Sequence, residues 1–382
     1  MSEAYIAGGG MIRISRFPSS SVPGLAVPAV LAAVKDSGME WEDIEAVYCG
    51  HTFGGSMVAQ RVCKELGIGG IPMLNVENAC SGGAAAMHEA VKAIRSGAVD
   101  VALVIGVEKL SALGGGPLPL NEEDHEAQMG LVMPAVYAMR AQRFLHEREA
   151  SVEDLASVAV QSRRHGVANP YAQQRSEVTI EQVLASRNVA EPLTLLQCCP
   201  TGDGAAALIV VSERIQKRLS GAAIKVAASI MHSGTYDPGA RPMLRPQITF
   251  DSAADAYEEA GFGAEEIDLV ELHDAFTISQ LIYYEALGLC EVGEAVDFHR
   301  SGSATHGGKV VVNPSGGLLS RGHPVGVTGA AQLVEAMWHL RGEAGERQVV
   351  GAKRALTHVT GGGIAGFDHG ACTVHILERV ES

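Results

Sequence analysis

Hydrophobic positions along the chain follow two rhythms, one helical and one of unbroken apolar runs. Over 80–97 (CSGGAAAMHEAVKAIRSG), Ala84, Met87, Val91 and Ile94 share a helical face while Glu89, Lys92 and Arg95 lie elsewhere. Gly97 marks the end, so the pattern predicts an amphipathic helix opened by a Gly-rich turn. VALVIGV (101–107) follows as a continuous apolar run, the pattern of a strand buried on both faces. Far downstream, VGVTGAAQLVEAMWHLRG (325–342) repeats the Gly-rich turn and buried helix. A closer echo sets AVKDSGMEWEDIEAVYCG (33–50) against AYEEAGFGAEEIDLVELH (256–273). In each copy a helix ends at a glycine (Gly38, Gly261), a short acidic turn holds Ile44 or Ile267, and an apolar strand comes next (46–49, 269–272). The prediction is two duplicated α/β halves with mostly parallel or mixed sheets covered by helices.

Between the halves, over roughly 111–233, the pattern changes. GGGPLPLNEEDHE reads as a loop, MPAVYAMRAQRFLHERE and VEDLASVAVQSRRHG read as helices, and GAAALIVVSER (204–214) returns to buried-strand character, so this stretch is an insertion. A chain of 382 residues with 47% hydrophobic and 19% charged residues fits a packed α/β enzyme of two domains. Its formal net charge of −15 leaves no basic field for a nucleic-acid backbone, so nucleic acid is excluded as a partner. The opening MSEAYIAGGG lacks a basic region followed by an apolar one, and no apolar run approaches membrane-spanning length. A cytoplasmic protein without membrane contact is the expectation. Seven scattered cysteines with no CxxC pair fit a reducing compartment and offer no zinc site, so no metal is expected.

Four residues stand out chemically. Cys80, in NVENACSGGAAA, sits where a helix N-terminus would favour thiolate and lower its pKa; as a single cysteine it reads equally well as a buried structural thiol. His323, in SRGHPVGVTGAA, lies at the mouth of the second echo helix and can act as base toward a thiol, although a Gly-His-Pro turn alone is a weak signal. The duplication places these two helix mouths across a pseudo-dyad. His273 opens HDAF (273–276) directly after a predicted strand, where α/β folds present catalytic groups; the alternative is a helix cap by Asp274 beside an incidental histidine. His358 precedes three glycines in THVTGGG, read as a Gly-rich turn after the strand AKRAL; His306 and His369 occupy similar settings. Cys198 and Cys199 are adjacent and read as structural. The triple glycine of AYIAGGGMI lacks the spacing of a dinucleotide fingerprint, so no nicotinamide cofactor is supported.

ENACSGG, HDAF, NPSGGLLSRGHPVGVTGA and THVTGGG, in that order, resemble the thiolase superfamily along essentially the whole chain, in particular its sterol-carrier-protein-type and archaeal-like branches. The resemblance implies an αβαβα five-layered fold of two halves, about 1–235 with a loop domain near 112–200, and about 236–382, in a homodimer. It implies that Cys80 attacks a β-ketoacyl-CoA, that His323 takes its proton, and that His273 lines one oxyanion hole. The backbone N–H groups of Cys80 and Gly361 would form the other. Coenzyme A is then a substrate that cleaves the acyl-enzyme, with no permanently bound cofactor. Where thiolases carry a second cysteine this chain has Val359 and Ala275, so His273 or His358 must supply that acid–base function. Many bacterial and archaeal members of this branch work with a small zinc-ribbon and OB-fold subunit of the DUF35 type, so the resemblance makes such a partner possible and leaves bulky, branched or aryl-substituted substrates open. Two alternatives are a retro-aldolase-type lyase acting on a β-hydroxyacyl-CoA side chain, in which tyrosines replace the cysteine and histidine, and a non-catalytic thiolase-like subunit.

Overall fold

A computed structural model describes residues 2–114, 116, 118–119, 123–235, 242–365 and 368–380. The helix, turn and strand echo folds as read. Helix α1 (Val22–Ser37) is capped by Ser21, whose hydroxyl accepts from the Gly24 N–H at 3.0 Å, and ends at Gly38 in the left-handed region (φ 67°). Its counterpart Gln247–Ala260 ends at Gly261 (φ 80°) in the same way.

Strands β1 (Ala4–Met11), β2 (Ala46–Gly50), β3 (Met73–Val76), β4 (Val101–Lys109) and β5 (Asp203–Ser212) stand in the order β3-β2-β4-β5-β1. The first three are parallel, and β5 and β1 run antiparallel to their neighbours. Strands β6 (Ala223–His232), β7 (Leu269–Glu271), β8 (Val311–Val312), β9 (Arg354–Ala365) and β10 (Asp368–Val380) repeat that arrangement as β8-β7-β9-β10-β6, with the same directions. The two sets join edge to edge through only two β1–β6 residue pairs, Tyr5 with Lys225 and Ile6 with Ile224. Residues 223–232 thus sit in the second half's sheet, as β1 does in the first.

Strand side chains alternate between faces, and the alternation sorts the core into layers. Val47, Leu103, Ile105 and Ile209 pack on α1, whereas Ala46, Ala102, Val104 and Leu208 turn to helix α2 (Gly82–Arg95). On the second sheet Leu269, Ala355 and Leu377 share that central layer, which α2 forms with a second helix, Thr328–Arg341; Val270, Leu356 and Ile376 face the outer helices. Helix, sheet, paired helices, sheet and helix make five layers. The insertion contributes helices α3 (Met133–Glu147) and α4 (Val152–Val167) between β4 and β5.

One stretch folds differently from its local pattern. The three glycines 361–363 do not form a turn after AKRAL; β9 runs through His358 and the glycines to Ala365, paired along its length with β10. The partner strand supplies ladder hydrogen bonds that override the glycines' weak strand preference.

Candidate active site

Cys80 lies in the single turn Ala79–Ser81 that leads into α2. Ala79 holds a left-handed conformation (φ 48°) rare outside glycine. The turn is held by Ser81 N–H donating to Asn78 O (3.0 Å) and by the Ser81 and Thr373 hydroxyls, 2.8 Å apart. Facing it, HDAF and GHP are fastened to one another. Asp274 is fully buried and accepts from the N–H of Leu318 at 2.7 Å, capping the short helix 317–321 that leads into His323. Asp274 is therefore a helix cap, and the His273 beside it points into the site.

The two helix mouths meet because glycines let backbones touch. A Cβ on Gly83 would stand 2.7 Å from Gly326 O, and one on Gly329 would stand 2.4 Å from the Ala84 Cβ. In that junction His323 Nε2 lies 3.2 Å from Cys80 Sγ, and its Nδ1 lies 2.7 Å from Thr328 Oγ1. With Nδ1–H donating to the threonine hydroxyl, Nε2 keeps its lone pair for the thiol proton. The His273 and His323 rings meet edge to face with centroids 5.1 Å apart. Donor atoms of Cys80, His273 and His323 lie within 4.8 Å of one another, the one such group among the described residues that could hold a metal ion.

The resting charge state differs from the sequence expectation. Burial pushes the Cys80 thiol up to about 12, outweighing the backbone N–H of Gly362 that favours thiolate. Burial also drives His323 down to about 3 and His273 well below its ordinary value, the latter helped by the neighbouring imidazole of His323. The helix N-terminus does not outweigh desolvation, so thiol and imidazole rest neutral, joined by a hydrogen bond.

Gly361 packs on the nucleophile turn, where a Cβ would stand 2.1 Å from Asn78 O; the backbone N–H that reaches the sulfur is that of Gly362. His358 is buried apart from this cluster, with Nε2 3.2 Å from Thr249 Oγ1 and its ring against Tyr283. Cys372 faces Thr360 across the β9–β10 ladder, its sulfur 4.0 Å from the same Thr249 hydroxyl. Cys199 donates its N–H to Ala275 O (2.9 Å), and His323 N–H donates to Pro200 O (3.1 Å), so the CCP segment threads between HDAF and GHP. Sequence reasoning missed Thr328 and a buried network behind the glycines. There His369 Nδ1 lies 2.7 Å from Gly362 O, and its Nε2 lies 3.1 and 3.3 Å from the hydroxyls of Tyr137 and Tyr283. Neither Thr328, five residues after the histidine, nor the tyrosines carry a signal in the sequence.

A groove of about 560 Å³ runs along the outer face of α3, with an apolar floor including Ala138 and Met139 and a basic rim at Arg143 and His146. A second groove adds Arg148 and Arg245. Neither is lined by Cys80, His273 or His323. Among the described residues no helix is long and apolar enough to cross a membrane.

Comparison with known proteins agrees along the chain. Residues 4–214 match the thiolase N-terminal domain and 236–378 the thiolase C-terminal domain-like family. The benzoylsuccinyl-CoA thiolase subunit BbsB of Thauera aromatica is 44% identical over 97% of this chain and 98% of that protein. An acetyl-CoA acetyltransferase of Methanothermobacter thermautotrophicus is 36% identical over 99% of this chain and all of its own length. Among solved structures, an Ltp2-ChsH2(DUF35) aldolase superposes with a TM-score of 0.85 at 26% identity, covering all of this chain and 98% of that one.

Proposed function

The chain belongs to the thiolase family of acyltransferases, and on that premise we propose that it cleaves or forms a bulky, aryl-substituted β-ketoacyl-CoA through an acyl-Cys80 intermediate. The observation that carries this reading is the Cys80 Sγ to His323 Nε2 contact of 3.2 Å where the two helix mouths meet. In the cleavage direction the Cys80 sulfur attacks the keto carbon as its proton passes to His323 Nε2. The N–H groups of Cys80 and of Gly361 or Gly362 receive the charge developing on oxygen. The carbon–carbon bond then breaks, the electron pair leaves with the CoA-bearing fragment as its enolate, and the proton held at His323 neutralises that carbanion. The thiol of a second CoA attacks the acyl-cysteine, gives its proton to the imidazole, and releases the shortened acyl-CoA as Cys80 regains its hydrogen.

In this scheme the acid–base part of the absent second cysteine falls to His323 itself, while His273, which belongs to the cluster, steadies the thioester or enolate oxygen; His358 is a packing residue between Thr249 and Tyr283. Coenzyme A is a substrate in this scheme and nothing need be permanently bound. The aryl preference is supported by the identity to a benzoylsuccinyl-CoA thiolase subunit, and a DUF35-type partner by the likeness to the Ltp2-ChsH2(DUF35) aldolase. We place the protein in the cytoplasm as a homodimer whose halves divide just before β6, near residue 222 rather than 235. The same aldolase likeness favours a second reading, retro-aldol cleavage of a β-hydroxyacyl-CoA, against which the retained Cys80 and His323 count.

Mass spectrometry of the protein incubated with a panel of acyl-CoAs and ketoacyl-CoAs tests both. An acyl adduct on Cys80, lost in Cys80→Ala, is expected; cleavage of a hydroxyacyl-CoA that survives Cys80→Ala would establish the second reading instead. Co-purification from the native host tests the partner, and full activity of the isolated homodimer would count against it.

A further inference from the structure

Glu108, near the C-terminal end of β4, is completely buried, and no cation pairs with it among the described residues. Its carboxylate is instead gripped by backbone. Oε1 accepts from Phe53 N–H (2.9 Å), and Oε2 accepts from both Thr52 N–H (2.9 Å) and Gly326 N–H (3.2 Å). Such a buried acid is costly unless its hydrogen bonds are made, so these three donors are held firmly.

Two of the donors lie on the loop after β2, which touches the nucleophile turn, and the third lies on the turn that carries the base. Thr52 follows β2, and its hydroxyl donates to Ala79 O at 3.1 Å, the carbonyl immediately before Cys80. Gly326 lies three residues after His323, in the turn that opens the second central helix. The junction has no slack on that side: a Cβ on Gly326 would stand 2.5 Å from His51 Cα and 3.0 Å from Glu108 Oε2. One carboxylate thus ties the nucleophile turn of the first half to the base-carrying turn of the second. We infer that Glu108 is a positioning residue that sets the separation of Cys80 Sγ and His323 Nε2, an inference that rests on the acyl-cysteine reading above.

A glutamine of the same shape tests this. It offers one oxygen and one NH2 where three N–H donors converge, so at least one contact becomes donor against donor and the loops part. In Glu108→Gln the rate of Cys80 acylation is expected to fall on the order of tenfold to a hundredfold, since misplacing a reacting group by about 1 Å costs that much. KM for the acyl-CoA is expected to stay within about twofold, because ground-state binding is untouched. Alkylation of Cys80 by iodoacetamide separates positioning from charge. Removing a nearby anion would by itself ease thiol ionisation and speed alkylation, whereas loss of the imidazole's alignment slows it. Slower alkylation in a variant that melts with the wild type supports the clamp; alkylation at the wild-type rate or faster overturns it. Should Glu108→Gln fail to fold, Thr52→Val removes only the hydroxyl link to Ala79 and is expected to slow alkylation by about threefold; an unchanged rate there overturns the inference. If the wild type forms no Cys80 adduct with any acyl-CoA the thiolase reading falls, while the alkylation comparison still decides the clamp.

Discussion

The resting protonation of the Cys80–His323 pair can be decided directly. With the thiol pushed up to about 12 and the imidazole driven down to about 3, moving the proton across the pair is uphill by about 12 kcal/mol before the ions attract. Two unit charges 3.2 Å apart return about 5 kcal/mol at an effective dielectric of about 20, which leaves about 7 kcal/mol in favour of the neutral pair. Ionisation must therefore accompany substrate, when the N–H donors of the site and the developing oxyanion change the balance. The assay is the far-ultraviolet absorbance of thiolate, recorded as the difference between wild type and Cys80→Ala across a pH titration. No step assignable to Cys80 is expected between about pH 5 and about pH 9. A single thiolate appearing with a midpoint below about pH 8 would refute the reasoning and restore the helix-terminus argument in its simple form.

Thr328→Val leaves His323 Nδ1 without its 2.7 Å partner; loss of that buried hydrogen bond, about 1–3 kcal/mol, should lower the rate of Cys80 acylation about tenfold or more with the fold intact by circular dichroism. Gly83→Ala forces a Cβ to 2.7 Å from Gly326 O, and urea titration should show a loss of about 1–3 kcal/mol. Burial drives His165, His299, His323, His339, His358, His369 and His375 down to about 3 or 4. Below their unfolded value near 6.5 the unfolded chain binds more protons, so stability falls as pH falls from about 6.5 towards 4, by up to about 1.4 kcal/mol per imidazole per pH unit. Melting temperature followed through that window should drop well before the carboxylates titrate, and a flat profile down to pH ~4.5 would contradict the burial of these rings.

How far the sequence reaches depends on the range of the interaction. Helix stops at Gly38 and Gly261 and the buried run 101–107 are local, and each is where its pattern puts it. The echo helices also reveal their pairing, because small residues at Gly83, Ala84 and Gly329 can serve only if another backbone comes close. The strand at His358 is hidden because nothing within THVTGGG announces that 368–380 will lie alongside and draw the glycines into the sheet. Charge state was misjudged for a related reason: the helix terminus is visible in ENACSGG, but the desolvation that outweighs it comes from elements hundreds of residues away. Glu108 and Thr328 escaped notice because their partners are backbone amides or lie on folded-together turns, which no residue-type pattern encodes.

The near-twofold relation of the two halves bears on descent. In a symmetric pair of identical single-copy ancestors, whatever one helix mouth offered the other it would also have received, so a sulfur–imidazole couple at the axis would have come as two equivalent couples. A single, unequal couple at that axis became accessible once the copies were fused on one polypeptide and free to diverge. Val325, which the second echo aligns with Cys80, marks the difference: the second half has a valine where the first has its thiol, and presents an imidazole two residues earlier.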